Sequence, residues 1–260
     1  MSLSTEPLWV SGILFASLTL ASAILGPLVV RRRVALDRLR TNNEVAGFKF
    51  ATVGVIYAVL LGFAVIVVWE KFSDSEMAVV QEAGAAATIY RLADGLDKPG
   101  AALRKQLTTY LDDAIDKDWP AMERGKSSAV VTQALDAVYA TLLTARPSGA
   151  LGTAVIAEVF RQLDLITQAR RTRLVAAAGI VPGVMWLVLF GGACRTIGFT
   201  FFFGTFNLRA QMMMTGLLSA LISLGLLIII AIDHPFAGSV KVGPHALALV
   251  LEDFGAAPGR

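Results

Sequence analysis

From Gly54 to Trp69 the chain reads GVIYAVLLGFAVIVVW, with no charged residue, and then meets Glu70-Lys71 and a long polar stretch. A hydrocarbon core about 30 Å thick needs roughly 20 helical residues to cross it, so a run of this kind is a membrane helix that continues into water. At about 100° per residue, Val55, Val59, Phe63 and Ile66 fall in one narrow stripe. Gly54, Ala58 and Gly62 form an adjacent strip of small residues. In lipid, apolar surface alone gives helices no reason to associate, whereas small residues four apart let backbones approach closely. We therefore assign Gly54, Ala58 and Gly62 to helix packing and expect this helix to touch others.

The whole chain agrees with a membrane protein. Hydrophobic residues make up 55% of its 260 positions and charged ones only 17%, and the mean hydropathy is +0.65, well above soluble proteins. Four stretches are long and apolar enough to span: Leu8–Val30, Ala51–Trp69, Leu174–Cys194 and Met212–Ile232. The first reads as a retained helix rather than a signal peptide. Its leading tail, MSLSTEP, carries no basic residue, and the apolar run passes Ala21-Ser22-Ala23 without pause before stopping at Arg31-Arg32-Arg33.

Between spans two and three the sequence turns polar but stays helical. Residues 72–173 hold three amphipathic patterns. The first carries Leu103, Leu107, Tyr110, Leu111 and Ile115. The second carries Val130, Val131, Ala134, Leu135, Val138 and Leu142, with Ser127 or Ser128 as its cap. The third carries Val155, Val159, Phe160, Leu163 and Ile166. Breaks are expected at Asp97-Lys98-Pro99-Gly100, Trp119-Pro120, Arg124-Gly125 and Arg146-Pro147-Ser148-Gly149. The last polar helix runs through Arg173 straight into Leu174, which predicts one rod shared with span three, kinked at Pro182-Gly183. Aromatic Arg195–Arg209 suits an interfacial hairpin between spans three and four, and HALALVLEDF suits a short helix in the tail.

The expected fold is thus an all-α membrane protein: four transmembrane helices with an extramembrane helical layer between spans two and three. The divisions are 1–71 for spans one and two, 72–173 for the layer, 174–238 for spans three and four, and 239–260 for the tail. The location that follows is the cell (inner) membrane, crossed several times.

Chemistry beyond that is sparse. Cys194 is the only cysteine, which excludes an intrachain disulfide and a thiolate metal site. His234 and His245 are not paired at helical spacing, so no metal ligand set is assigned. His234, beside a proline turn, reads as structural. Asp112, Asp113, Asp116 and Asp118 lack the glycine and terminal glutamate of a calcium loop and read as one solvated helix face. No catalytic residue and no cofactor is assigned, and the chain does not read as an enzyme. The formal charge is only +3, with arginines beside apolar segments, so nucleic acid is not an expected partner. Ionisable groups are nearly absent from the spans, which argues against a proton-coupled transporter or a voltage sensor.

The charges give two signals about orientation. Arg31, Arg32, Arg33, Arg38, Arg40 and Lys49 follow span one, against Asp37 and Glu44, and the positive-inside rule would make that loop cytoplasmic. Arg170, Arg171 and Arg173 crowd the start of span three on the opposite side.

The run Leu61–Glu70, LGFAVIVVWE, followed by Ser73-Asp74-Ser75-Glu76, Glu82-Ala83 and Tyr90-Arg91, resembles the second helix of the bestrophins. Asn43-Glu44-Val45-Ala46-Gly47, Gly54 through Val59, Trp69-Glu70, Glu82-Ala83 and Asp233 with Pro235-Phe236-Ala237-Gly238 resemble more closely the bestrophin-like family of bacterial membrane proteins. This resemblance implies a homopentamer whose second helices line a central pore, with Val55, Val59 and Phe63 at its hydrophobic neck and the helical layer in the cytosol. It departs from bestrophins at Val59, where an aromatic is common, and at Ala64-Val65-Ile66-Val67-Val68, which replaces a polar Arg-Asn stretch. The calcium clasp of animal bestrophins has no counterpart.

Two functions follow. The first is an oligomeric channel for small monovalent ions, with the neck at Val55, Val59 and Phe63 and the pore mouth at Ile66 and Glu70; its partners are copies of itself and membrane lipid. The resemblance favours anions, while Glu70 would favour cations. Four spans are too few to enclose a wide path, so such a pore forms between copies, and an apolar neck gates by dewetting. The alternative is a membrane-anchored helical scaffold that conducts nothing.

Overall fold

A computed structural model describes residues 8–146 and 149–256 of the chain. The leading tail 1–7, residues 147 and 148 of the expected turn, and residues 257–260 lie outside the described residues. All the regular structure among the described residues is helical, and four helices are long and apolar enough to cross a membrane. The chain divides into two compact units, Met1–Glu70 with Val181–Asp233 and Lys71–Ile180 with His234–Arg260.

The first unit contains α1 (Leu8–Arg33), a short α2 (Leu36–Thr41), the first part of α3 (Asn43–Leu92), α8 (Gly183–Thr200) and α9 (Leu208–Ile232). Helix α1 packs on α9 through a short polar ladder. The Thr19 and Ser223 hydroxyls lie 2.8 Å apart, and Ser22 Oγ donates to Ser219 Oγ at 3.1 Å. Hydroxyl pairs of this kind hold membrane helices together without placing a charge in lipid. Tyr57 of α3 donates from its hydroxyl to the carbonyl of Leu189 in α8 at 3.0 Å.

Two glycines on the partner helices make room for α3. A β-carbon at Gly192 would lie 2.5 Å from the Tyr57 ring, and one at Gly225 would lie 2.9 Å from Leu61 Cδ2. Helix α9 is capped by Asn207, whose Oδ1 accepts from the Ala210 amide at 3.2 Å. The turn between α8 and α9 is tied to the start of α3 by a reciprocal pair: Asn43 Nδ2 donates to the Gly204 carbonyl at 2.7 Å, and the Gly204 amide donates to Asn43 Oδ1 at 2.9 Å. Helix α8 runs on to Thr200, so only a short turn, rather than the whole Arg195–Arg209 stretch, separates the two spans.

The second unit contains the rest of α3, a 3₁₀ turn at Ala93–Gly95, α4 (Asp97–Asp113), a π-helical turn at Ala114–Asp118, α5 (Trp119–Met122), α6 (Ala129–Leu143), α7 (Gly149–Ala177) and α10 (His245–Ala256). Its core is built from the expected stripes: Leu103, Leu107, Tyr110 and Leu111 meet Val131, Val138 and Leu142, with Val159, Leu163 and Ile166 of α7. Helix α10 adds Leu247 and Phe254, the latter stacked on Tyr90. Val130 is the exception and faces outward.

Several local expectations are corrected. Helix α7 ends at Ala177 and α8 begins at Gly183, so no single rod joins the polar layer to span three. Gly179 sits at φ +102°, a conformation that ends a helix and suits glycine. Pro182 then stands at the N-cap with extended ψ and cannot donate into a preceding turn. Trp119-Pro120 does not break the chain either, because Pro120 occupies the first turn of α5, where its missing N–H costs nothing. Ser128 occupies the N-cap of α6, but its hydroxyl makes no capping bond; its amide donates to Asp118 Oδ1 at 3.0 Å instead.

Candidate functional site

Helix α3 is the only described element with part of its length in each unit. Within the first unit its buried side chains are Tyr57, Ala64 and Val68. At 100° per residue these share one face with Leu61. On the same wheel Val55, Val59, Phe63, Ile66 and Glu70 fall within an arc of about 80°, centred almost diametrically across from the buried face. Burial agrees: Val55, Val59, Phe63 and Ile66 are 63%, 52%, 65% and 53% exposed, and Glu70 is exposed as well. The five positions run along about 22 Å of helix axis. They form an apolar strip, ending in one carboxylate, that stays exposed among the described helices.

Gly54, Ala58 and Gly62 flank that strip. Among the described residues nothing lies within 4 Å of where a β-carbon would stand on Gly54 or Gly62. Gly54, Val55 and Ala58 instead border an open groove of about 360 Å³ whose other wall includes Thr196, Leu218 and Leu221. The glycines that bring neighbouring helices against α3 within the unit are Gly192 and Gly225. Sequence reasoning missed them, since each is recognisable only once its partner side chain on α3 is known.

It also missed a buried polar network in the second unit. Arg173 grips Glu82 with two bonds, Nε to Oε2 at 2.6 Å and Nη2 to Oε1 at 2.8 Å. Tyr110 donates to Glu82 Oε1 at 2.6 Å, and the Arg173 guanidinium lies 4.5 Å over the Trp119 ring. Beside it Arg170 donates to Asp118 Oδ2 at 2.7 Å, to Thr132 Oγ1 at 3.2 Å and to the Ser128 carbonyl at 3.3 Å. Burial, and then the Glu82 charge, push the Tyr110 hydroxyl well above the usual tyrosine range. Burial opposes the charge on Arg173, but Glu82 outweighs it and holds the guanidinium protonated.

Asp118 is therefore not on the solvated acidic face expected for it. A signal for this existed in the helical period. Asp118 follows Leu107, Leu111 and Ala114 on the apolar face, whereas Asp112, Asp113 and Asp116 fall on the other. Likewise Arg170 and Arg173 continue the stripe Val159, Leu163, Ile166, and Glu82 sits between Val79 and Ala86. A charge on an apolar stripe marks a buried pair.

The Asp233–Gly238 segment is structural where it is visible. Asp233 Oδ1 accepts the Val181 amide at 2.7 Å. Phe236 is buried edge-on against Trp119 at 6.0 Å, and Gly238 takes φ +82°. The His234 ring lies about 3 Å from where a β-carbon on Gly179 would stand. Among the described residues no three His, Cys, Asp or Glu side chains gather as a metal set.

The bestrophin-like domain model matches residues 14–247. The same fold occurs in a crystal structure of a membrane protein carrying a single substitution, with TM-score 0.72 at 13% identity over 95% of this chain and 98% of that one. Two structures of a bacterial bestrophin homologue from Klebsiella pneumoniae, each also carrying one substitution, are similar. One has TM-score 0.71 at 13% identity, covering 95% and 99% of the two chains. The other has TM-score 0.69 at 14% identity, covering 93% and 98%. No curated protein matches the sequence.

Proposed function

Since the chain belongs to the bestrophin-like family, we propose that it assembles into a ring, a pentamer by family resemblance, and conducts small monovalent ions, anions preferentially, across the inner membrane. The observation that carries this reading is the position of Val55, Val59, Phe63 and Ile66 on the face of α3 turned away from the chain's other helices. A continuous apolar strip of this length either faces lipid or lines a passage between copies. Glu70 at its end, and Gly54 and Gly62 beside it with open space around them among the described residues, favour the second. Small residues left open in this way are where a neighbouring copy can approach closely.

In this arrangement Val55, Val59 and Phe63 form a narrow apolar neck that passes ions only when wetted. Ile66 and Glu70 form its mouth. A carboxylate ring would by itself attract cations, so anion preference requires the neck rather than the mouth to set selectivity. The fold similarity to the Klebsiella pneumoniae homologue supports the architecture.

The experiment is planar-bilayer recording of the purified full chain, with reversal potentials measured under a chloride-salt gradient. Currents reversing near the chloride equilibrium potential are expected. Silence under every condition, or a monomer by native mass spectrometry, would overturn the reading and leave a membrane-anchored helical scaffold.

A further inference from the structure

Because α8 runs on to Thr200, Arg195 lies inside the third span rather than at its edge. Its guanidinium turns back along the helix, and Nη1 donates to the Gly191 carbonyl at 3.2 Å. Gly191 stands at the middle of this 18-residue helix, which rises only about 27 Å and so lies wholly at hydrocarbon depth. Arg195 is exposed there, and among the described residues that carbonyl is its one polar partner. A charge facing hydrocarbon at this depth is costly, and membrane proteins turn such groups toward a polar partner or a water-filled passage.

The contacts of α8 fix the side on which Arg195 stands. Gly192 closes on the Tyr57 ring and Phe199 packs on Phe50, 5.8 Å between ring centroids, so this face meets α3. Ala193 is buried and Thr200 faces Thr215 of α9, so the next face round meets α9. At 100° per residue Arg195 falls on the side of α3 away from α9, in line with exposed Val184 and Val188. The groove bordered by Gly54 and Ala58 opens on the opposite flank, between α3 and α9. Thr196 lines that groove at only 2% exposure, and its hydroxyl has no hydrogen-bond partner among the described residues. One flank thus carries a cation without a counter-charge, and the other a buried hydroxyl without a partner.

In a ring each copy meets the next through unlike flanks. Rotation about an axis normal to the membrane also leaves depth unchanged, and Arg195 and Thr196 are adjacent in one helix. We propose that Arg195 of each copy enters the groove of the next and donates to Thr196 Oγ1 there, an assignment that rests on the ring proposed for this chain. Each interface then holds one fixed positive charge. Arg195 lies between the contacts at Gly192 and Phe199, and Val55 lies between their partners Tyr57 and Phe50, so the charge stands level with Val55 in the neck. A ring of arginines beside a narrow passage raises the local anion concentration. The anion preference thereby has a source that Glu70 does not oppose at the same depth.

The test uses the purified full chain in planar bilayers, with reversal potentials under a sodium chloride gradient. Arg195→Gln is expected to lower the chloride-to-sodium permeability ratio roughly three- to tenfold, while Arg195→Lys keeps most of it. In a Cys194→Ser background, Arg195→Cys is expected to regain the preference when a cationic thiosulfonate is attached and to lose more of it with an anionic one. Placement is read with a short bifunctional thiosulfonate on Arg195→Cys combined with Ala58→Cys in the groove wall. A ladder of linked copies is expected from the pair and none from either cysteine alone. A pair that stays unlinked, as when a lipid chain fills the groove, overturns the proposal, and so does a linked dimer from one cysteine alone. A conducting ring whose permeability ratio is unmoved by Arg195→Gln overturns the Arg195 assignment and leaves the ring standing. An unsubstituted chain that is monomeric or silent overturns both.

Discussion

Arg173 and Glu82, 91 residues apart in sequence, face each other fully buried and joined by two hydrogen bonds of 2.6 and 2.8 Å. The pair ties the end of α7 to α3, and it is enclosed by Tyr110, Met122 and Trp119. A buried pair contributes little net stability over an apolar substitute, but removing one member strands the other. Glu82→Gln and Arg173→Met are each expected to destabilise the second unit by about 3–5 kcal/mol. Glu82→Leu combined with Arg173→Leu should cost less than the sum of the two single changes. Denaturant unfolding in detergent, followed by tryptophan fluorescence, measures all of these.

Tyr110 gives the second unit a dependence on alkaline pH. Its folded pKa is raised by burial and by Glu82, while the unfolded residue ionises near pH 10. Below pH 10 both states hold the proton and stability is unaffected. Above it the unfolded state has lost a proton that the folded state keeps, so unfolding becomes more favourable as pH rises. Tyr110→Phe should flatten the alkaline limb of a stability-against-pH curve while leaving the neutral region nearly parallel.

Gly192 and Gly62 look alike in sequence and should behave oppositely. Gly192→Leu drives a side chain into the Tyr57 ring, and overpacking of this kind costs about 1–3 kcal/mol. At Gly62 a β-carbon has open space among the described residues, so Gly62→Ala should leave the thermal stability of the detergent-solubilised protein unlowered. On the proposed assembly Gly62→Leu would keep neighbouring copies apart, which native mass spectrometry would register as loss of the oligomer.

A polar substitution in the proposed neck should ease wetting. Val59→Ser is expected to raise single-channel conductance or open probability by roughly two- to tenfold, with no change in assembly. A current identical to that of the unsubstituted protein would remove Val59 from the conduction path.

Glu70→Gln tests the mouth. If five carboxylates ring the entrance, neutralising them lowers the local cation concentration, and the reversal potential under a salt gradient should move further toward the anion equilibrium value. An unmoved reversal potential would place Glu70 away from the path.

Hydropathy and helical period, both local properties, were enough to determine the membrane class, the number of spans, the helical layer and the stripe Val55, Val59, Phe63, although the third span begins at Gly183 rather than at Leu174. They also determine which residues share a face, including Asp118, Arg170 and Arg173 on apolar stripes. What they cannot determine is which face of a helix is turned inward. The wheel of α3 shows a small-residue strip and an apolar stripe, and neither is the face the chain buries. Tyr57 is buried and Leu61 packs inward because Gly192 and Gly225, more than a hundred residues away, leave room for those two side chains. The break between α7 and α8 was equally hidden, since Gly and Pro are tolerated inside membrane helices and only the backbone conformation at Gly179 shows that the helix stops. Burial is a property of pairs of surfaces, and a single segment carries only one of the two.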